Sequence, residues 1–369
     1  MRTLVLTAVV TLAAPAVFPS SAAARGGIAF HYRTPLTAHE LAWYSRFDVL
    51  VTHDPLPRVQ VDALHRAGTK LALYEWSVAY YASLATPWHH TLPPSALLNR
   101  APLRGHAGAE DADAFYFDPA SPEHERGRAE QLAKRLRAIG YDGVFLDTTT
   151  AENVHPRALA EYRLRHPDVD YDVAFARFLH ALRGSVGVIV TNQGYRDAAN
   201  FLPYADWDVS ESLITYPRNG RFVLRPWNDP GDRWNSTSYL MRHLIAPAQR
   251  AYPRVRFAHI NYVDDPRLAA ELIAVSRLFG AGAVVAPPDL ATPLESDLLF
   301  LDLGRAKPRI DTPGGAYRFF ERGFIGINRG AKPLRVENEK TYVDAVTGAR
   351  VRGTIVIPPN SATILRRAR

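Results

Sequence analysis

The 369-residue chain is 47% hydrophobic and 22% charged, which gives it enough apolar side chain for one large domain with an appendage and too much for a disordered polymer. Its net charge of +7 comes from 44 basic and 37 acidic residues, but only Lys70, Lys134, Lys307, Lys332 and Lys340 are lysines, and the scattered arginines form no nucleic-acid-binding motif. The absence of cysteine excludes disulfide scaffolds, thiolate metal sites, iron–sulfur clusters and thiol nucleophiles.

Residues 1–24 open on Arg2, continue through an apolar stretch from Thr3 to Phe18 and end in Ser21-Ala22-Ala23-Ala24, the layout of a secretory signal peptide. Pro15, Pro19 and the small-residue end disfavour an uncleaved anchor, and no later apolar run is long enough to span a bilayer. The expectation is a bacterial export product, secreted and free of the membrane after cleavage. From residue 25 to residue 308, short β-branched or aromatic runs alternate with helical stretches. Strands are predicted at 28–33, 48–53, 70–76, 142–148, 187–192, 206–211, 255–260 and 282–286. Thr37 and Glu40 form a capping-box pair ahead of Leu41 and Tyr44, Ser121-Pro122 opens a helix from Glu123 to Ile139, and another runs from Pro266 to Phe279. Eight strands with interposed helices predict an α/β fold, a (β/α)8 or TIM barrel. The competing doubly wound sheet lacks its Gly-x-Gly-x-x-Gly turn after the first strand. The connection between Asn192 and Asp206 is near the minimum for a crossover. Residues 315–369 carry short strand-like runs and turns but no amphipathic helix, and predict a small C-terminal all-β, sandwich-like module.

In a barrel the active site is built from strand C-terminal ends and the loops after them. Those ends offer His31, Tyr32, Arg33, His53, Asp54, Tyr74, Glu75, Trp76, Asp147, Asn192, Gln193, Glu211, His259, Asn261, Tyr262 and Asp289. Acids, amides and aromatic rings in this mixture suit carbohydrate: carboxylates cleave an acetal, amides bind hydroxyls and flat rings take sugar C–H faces. Alternation puts Gly143, Phe145 and Asp147 on one strand face and Trp207, Val209 and Glu211 on another, so Asp147 and Glu211 form a candidate acid pair at the mouth. Asp142, on the opposite phase, reads as structural. Glu75 and Asp289 remain alternatives for either partner. Trp76, Trp88, Trp227 and Trp234 are candidate stacking platforms. The adjacent His89-His90, with His106, lack the spacing of a helical zinc site, and nothing demands a metal or cofactor.

The segment Gly140-Tyr141-Asp142-Gly143-Val144-Phe145-Leu146-Asp147-Thr148, preceded by Phe117-Asp118-Pro119-Ala120-Ser121-Pro122 and followed by Val209-Ser210-Glu211-Ser212, resembles the endo-α-1,4-polygalactosaminidase family and related hypothetical TIM-barrel glycosyl hydrolases. The resemblance spans most of residues 27–300. It implies a glycosidase acting on an oligo- or polysaccharide by a retaining mechanism, with Asp147 as nucleophile and Glu211 as acid/base. His31, Tyr32, His53, Tyr74, Glu75, Trp76, Asn192, Gln193, His259, Asn261 and Tyr262 are the expected substrate-binding residues. The insert from Ser77 to Asp113 departs from the family pattern. The rival reading is a non-catalytic carbohydrate-binding TIM-barrel protein of the cell surface, and a third is a basic adhesion protein held to acidic glycans by charge.

Overall fold

A computed structural model describes residues 26–104, 113–147 and 149–368; the signal-peptide reading of 1–24, and His106, fall outside the described residues. Eight parallel strands form one sheet in chain order: β1 (Gly26–His31), β2 (Phe47–Thr52), β3 (Lys70–Trp76), β4 (Gly143–Asp147), β5 (Val188–Asn192), β6 (Trp207–Glu211), β7 (Arg256–Tyr262) and β8 (Gly282–Ala286). The sheet curls until β8 returns to β1, where the Tyr32 N–H donates to the Leu290 carbonyl at 2.8 Å. This is the (β/α)8 barrel that strand count predicts. The short crossover from Asn192 to Trp207 is made by three single helical turns, Gly194–Asp197, Ala198–Phe201 and Leu202–Tyr204.

Period-two alternation divides the strand side chains between two environments. Ile28, Phe30, Val49, Val51, Ala72, Phe145, Val190, Val209, Ile260 and Val284 fill the barrel interior. Leu50, Leu71, Leu73, Val144, Leu146 and Ile189 face outward against the helices α1 (Ala38–Tyr44), α2 (Arg58–Arg66), α3 (Ala129–Ile139) and α5 (Tyr171–Arg183), while α4 (Pro156–Arg165) packs through Ala158 and Tyr162 on Val78, Tyr81 and Tyr116. Thr37 closes the capping box at the start of α1, and the Ser121 hydroxyl accepts the His124 N–H before the π-helical turn Glu123–Arg128 that leads into α3. Gly140, at φ 76°, ends α3 in the left-handed conformation that a side chain would resist.

Beyond the barrel lies an antiparallel sheet of β9 (Ala306–Thr312), β10 (Gly315–Phe320), β11 (Gly323–Asn328), β13 (Tyr342–Asp344), β14 (Arg350–Val351) and β16 (Ser361–Arg367). Its strand order is β9-β10-β11-β16-β13-β14, and β12 (Leu334–Val336) pairs separately with β15 (Ile355–Ile357). The helix α6 (Ala269–Leu278) joins the two parts: Leu272, Ile273, Val275 and Leu278 share one core with Ile325, Ile327 and Ile364 of the C-terminal sheet.

Gly143 sits where β4 meets β5 with no room for a side chain. A Cβ built there would lie 1.8 Å from the Val188 carbonyl oxygen, a backbone atom held by the β4–β5 ladder. Gly143→Ala should therefore cost at least about 3 kcal/mol, the upper end for overpacking. A Cβ on Gly127 meets nothing within 4 Å, and Gly127→Ala should be neutral or stabilising by roughly 0.5–1 kcal/mol. Urea unfolding of both variants checks this, and equal midpoints would refute the close-approach argument.

Candidate active site

Asp147 and Glu211 end strands β4 and β6 on the inward phase, and one amide lies between them. Asn192, the last residue of β5, donates from Nδ2 to Asp147 Oδ1 at 2.6 Å and to Glu211 Oε2 at 3.0 Å. The Tyr74 hydroxyl donates to Asp147 Oδ2 at 2.5 Å and the Tyr262 hydroxyl to Glu211 Oε1 at 2.7 Å. All four carboxylate oxygens thus have a donor, each from an inward-facing residue at a strand end. Because one nitrogen reaches an oxygen of each acid, the two acids face one another across a single amide group.

Electrostatics follow from burial. The Glu211 carboxyl is raised above the usual glutamate range, first by burial and then by the charge of Asp147, against the lowering effect of the Tyr262 and Asn192 hydrogen bonds. The Tyr32, Tyr74 and Tyr262 phenols are all pushed up by burial and the two neighbouring carboxylates, which keeps Tyr74 and Tyr262 protonated as donors. Tyr32, His53 and Tyr74 pack their rings together, with centroids 5.2–5.6 Å apart, as an aromatic wall at the mouth. Trp76 stands beside Asp147 in the β3–β4 register and meets Tyr74 edge-on at 5.8 Å.

A second layer holds this geometry. Gln193 and Ser212, each following a site residue, adopt φ of 62° and 52°, a conformation non-glycine residues keep only when their surroundings enforce it. After Asn192 the enforcing group is Asp208, buried on the outward face of β6. Its carboxylate accepts from the Gly194 and Tyr195 N–H groups at 2.7 and 3.0 Å and from the Thr191 hydroxyl at 2.8 Å. Burial pushes the Asp208 carboxyl up to about 7, and these donors oppose the shift. A Cβ on Gly194 would sit 2.8 Å from Thr191 Oγ1 and 2.9 Å from Asp208 Oδ1, so a side chain there would displace the groups that hold the turn. After Glu211, Arg225 donates to the Ser212 and Leu213 carbonyls at 3.1 Å each. Asp208 and Arg225 are absent from the sequence expectations. Asp208 lies on the phase opposite Glu211, and Arg225 sits in a loop whose return to the barrel no local pattern announces.

The expected substrate-binding residues separate by phase. Tyr32, His53, Tyr74, Trp76, Asn192 and Tyr262 gather with the acid pair. The others do not reach the mouth. His31 is buried between β1 and α1, where its Nδ1 lies 3.0 Å from the Tyr44 hydroxyl. Glu75 turns outward to an ion pair with Arg135 of α3. Gln193 accepts from Arg196 Nε at 2.6 Å. His259 is fully buried in the barrel wall, and burial lowers its imidazole to about 3. Asn261 accepts the Ile214 and Thr215 N–H groups at 2.8 and 3.1 Å and so supports the loop after β6. Asp289 is exposed and closes a local turn onto the Ala291 N–H, while Asp142 holds the Leu71 N–H and His65 at the other end of the barrel. Of the four tryptophans, Trp76 flanks the acids, Trp227 is 4% exposed against Phe279, and Trp234 is 52% exposed beside Tyr239. Trp88 packs on His89 and Phe117 in the insert; His89 accepts the Thr86 N–H at 2.8 Å and stacks on Tyr80.

Comparison with family models and with curated proteins finds no match. Among solved structures, the chain is similar to the glycoside hydrolase domain of PelA from Pseudomonas aeruginosa, with 21% identity over 72% of this chain and 96% of that one and a TM-score of 0.53. It is also similar to an α-amylase from Malbranchea cinnamomea, with 11% identity over 93% and 96% of the two chains and a TM-score of 0.55. An α-amylase from Anoxybacillus matches with 11% identity over 93% and 98% and a TM-score of 0.52. At these identities the likeness is one of fold, a (β/α)8 barrel, and the amylase matches extend into the C-terminal sheets.

The Asn192 bridge has a measurable consequence. Its hydrogen bond lowers the Glu211 pKa, so Asn192→Ala should move the Glu211 titration to higher pH. Carbon-13 NMR of the glutamate carboxyl resonances, assigned by Glu211→Gln, reads the shift; an unchanged or lowered midpoint would contradict the bridge.

Proposed function

We propose that the chain is a secreted glycoside hydrolase that cleaves α-linked glycosidic bonds with retention of configuration. The observation that carries this reading is the pair Asp147 and Glu211, held within reach of one scissile bond by the single amide of Asn192. A retaining reaction needs one ionised carboxylate to attack the anomeric carbon and one protonated carboxyl to release the leaving oxygen. Asp147, the partner of the carboxyl raised by burial and held by Tyr74 and Asn192, is assigned as the nucleophile. Glu211, raised by burial and by the charge of Asp147, suits the acid.

In the first step Asp147 forms a covalent bond to the sugar while Glu211 gives its proton to the departing oxygen. In the second, Glu211 takes a proton from water, which attacks the anomeric carbon and releases Asp147. Tyr74 and Asn192 orient the nucleophile; Tyr262 and Asn192 orient the acid. The aromatic wall of Tyr32, His53, Tyr74 and Trp76 offers apolar faces to a sugar ring. The family resemblance of the sequence points to an amino-sugar polysaccharide, and export rests on the N-terminal residues.

Asp147→Asn should reduce turnover by at least about 10³-fold while leaving oligosaccharide affinity within a few-fold, because the amide keeps the shape and loses the attacking charge. Glu211→Gln should retain more activity on an activated aryl glycoside than on a natural oligosaccharide, and azide should partly rescue it. Proton NMR of the first-formed product should show the substrate's own anomeric configuration. Wild-type protein that binds amino-sugar or neutral α-glycans but never releases a reducing end would replace the enzyme with a binding protein.

A further inference from the structure

At the opposite end of the barrel from Asp147 and Glu211, where β1, β6, β7 and β8 begin, lies a cavity of about 590 Å³, within the size range of small-molecule sites. Three guanidinium groups line it: Arg256 from β7, Arg277 from α6 and Arg318 from β10. No carboxylate lines it among the described residues. Part of the wall is glycine, and a Cβ on Gly27 or Gly282 would meet the Trp207 ring at 3.2 or 3.9 Å, so the wall is bare backbone beside an indole.

Of the three guanidinium groups, one is ion-paired among the described residues. Arg256 pairs with Asp48 at 2.7 Å and lies over Trp207, 4.0 Å from the ring centroid. Arg277 donates to the Leu299 and Leu301 carbonyls, and Arg318 to those of Leu278 and Lys307; neither forms an ion pair among the described residues. Burial lowers the pKa of both, and Arg309, stacked 4.0 Å from the centroid of the lining residue Phe279, adds like charge to Arg318. Asp302 partly offsets this at Arg277. Partly desolvated guanidinium groups facing one space are stabilised by an anion that enters it, and their forked donors suit phosphate and carboxylate.

We propose that this cavity is a second binding site, separate from the acid pair, for a ligand bearing a phosphate or carboxylate group, its anionic end held by Arg256, Arg277 and Arg318.

Isothermal titration at constant ionic strength tests this with inorganic phosphate, glucose 6-phosphate, glucuronate and neutral glucose. At least one anionic probe should bind saturably, glucose should not, and Arg256→Gln and Arg318→Gln should each weaken binding at least about tenfold, with Arg318→Lys losing less. Thermal unfolding confirms that each variant is folded, and half-exposed Arg256 tolerates change if Arg318→Gln does not fold. Tighter binding of glucose 6-phosphate or glucuronate than of phosphate identifies an anionic sugar; equal binding identifies the free anion. Asp147→Asn should bind the probes as wild type does, so this result stands or falls apart from the glycosidase reading. No saturable binding of any anion, or binding unchanged in both arginine variants, overturns the proposal.

Discussion

Two carboxylates placed side by side in a half-buried mouth repel each other, and the structure depends on how that repulsion is held. Asn192 supplies one nitrogen to both, while Tyr74 and Tyr262 supply a hydroxyl to each outer oxygen. The donors are neutral, so they fix positions without cancelling the charge that each carboxylate feels from the other. Arginine there would hold the pair more strongly and leave both ionised, which suits an ion pair but removes the proton an acid catalyst must give.

Neutral donors orient only if their own backbone is fixed. Asn192 is followed by a left-handed Gln193, and that turn is closed by Asp208 from behind the sheet. The chain thus uses a third buried carboxylate, outside the mouth, to set the amide that manages the other two. Thr191 and Gly194 complete the arrangement, one by donating its hydroxyl and the other by lacking a side chain.

Much of this was legible in the sequence because the barrel is periodic. Strand positions followed from β-branched runs between turn residues, and alternation within Gly143–Asp147 and Trp207–Glu211 put both acids on the interior phase. The same alternation separates Tyr74 from Glu75 and Asn192 from Gln193. Reading strand ends as clusters rather than by phase is what grouped His31, Glu75, Gln193, His259 and Asn261 with the mouth. A single step along a strand moves a side chain from the interior to the helix layer, so nearness in sequence to a position at the mouth says little. The roles of Asp208 and Arg225 depend on contacts between distant segments, which no local pattern encodes. Trp227 looks like its exposed counterpart Trp234 until the packing against Phe279 is known.

The contact where β8 returns to β1 carries a further consequence. The Tyr32 N–H is bonded to the carbonyl of Leu290, itself a leucine at φ 49°, and the same Tyr32 ring forms part of the wall beside the acids. Closure of the cylinder and insulation of its charged centre therefore share one residue. The seam and the wall beside the acids are thus one piece of chain, and a substitution at Tyr32 acts on both at once.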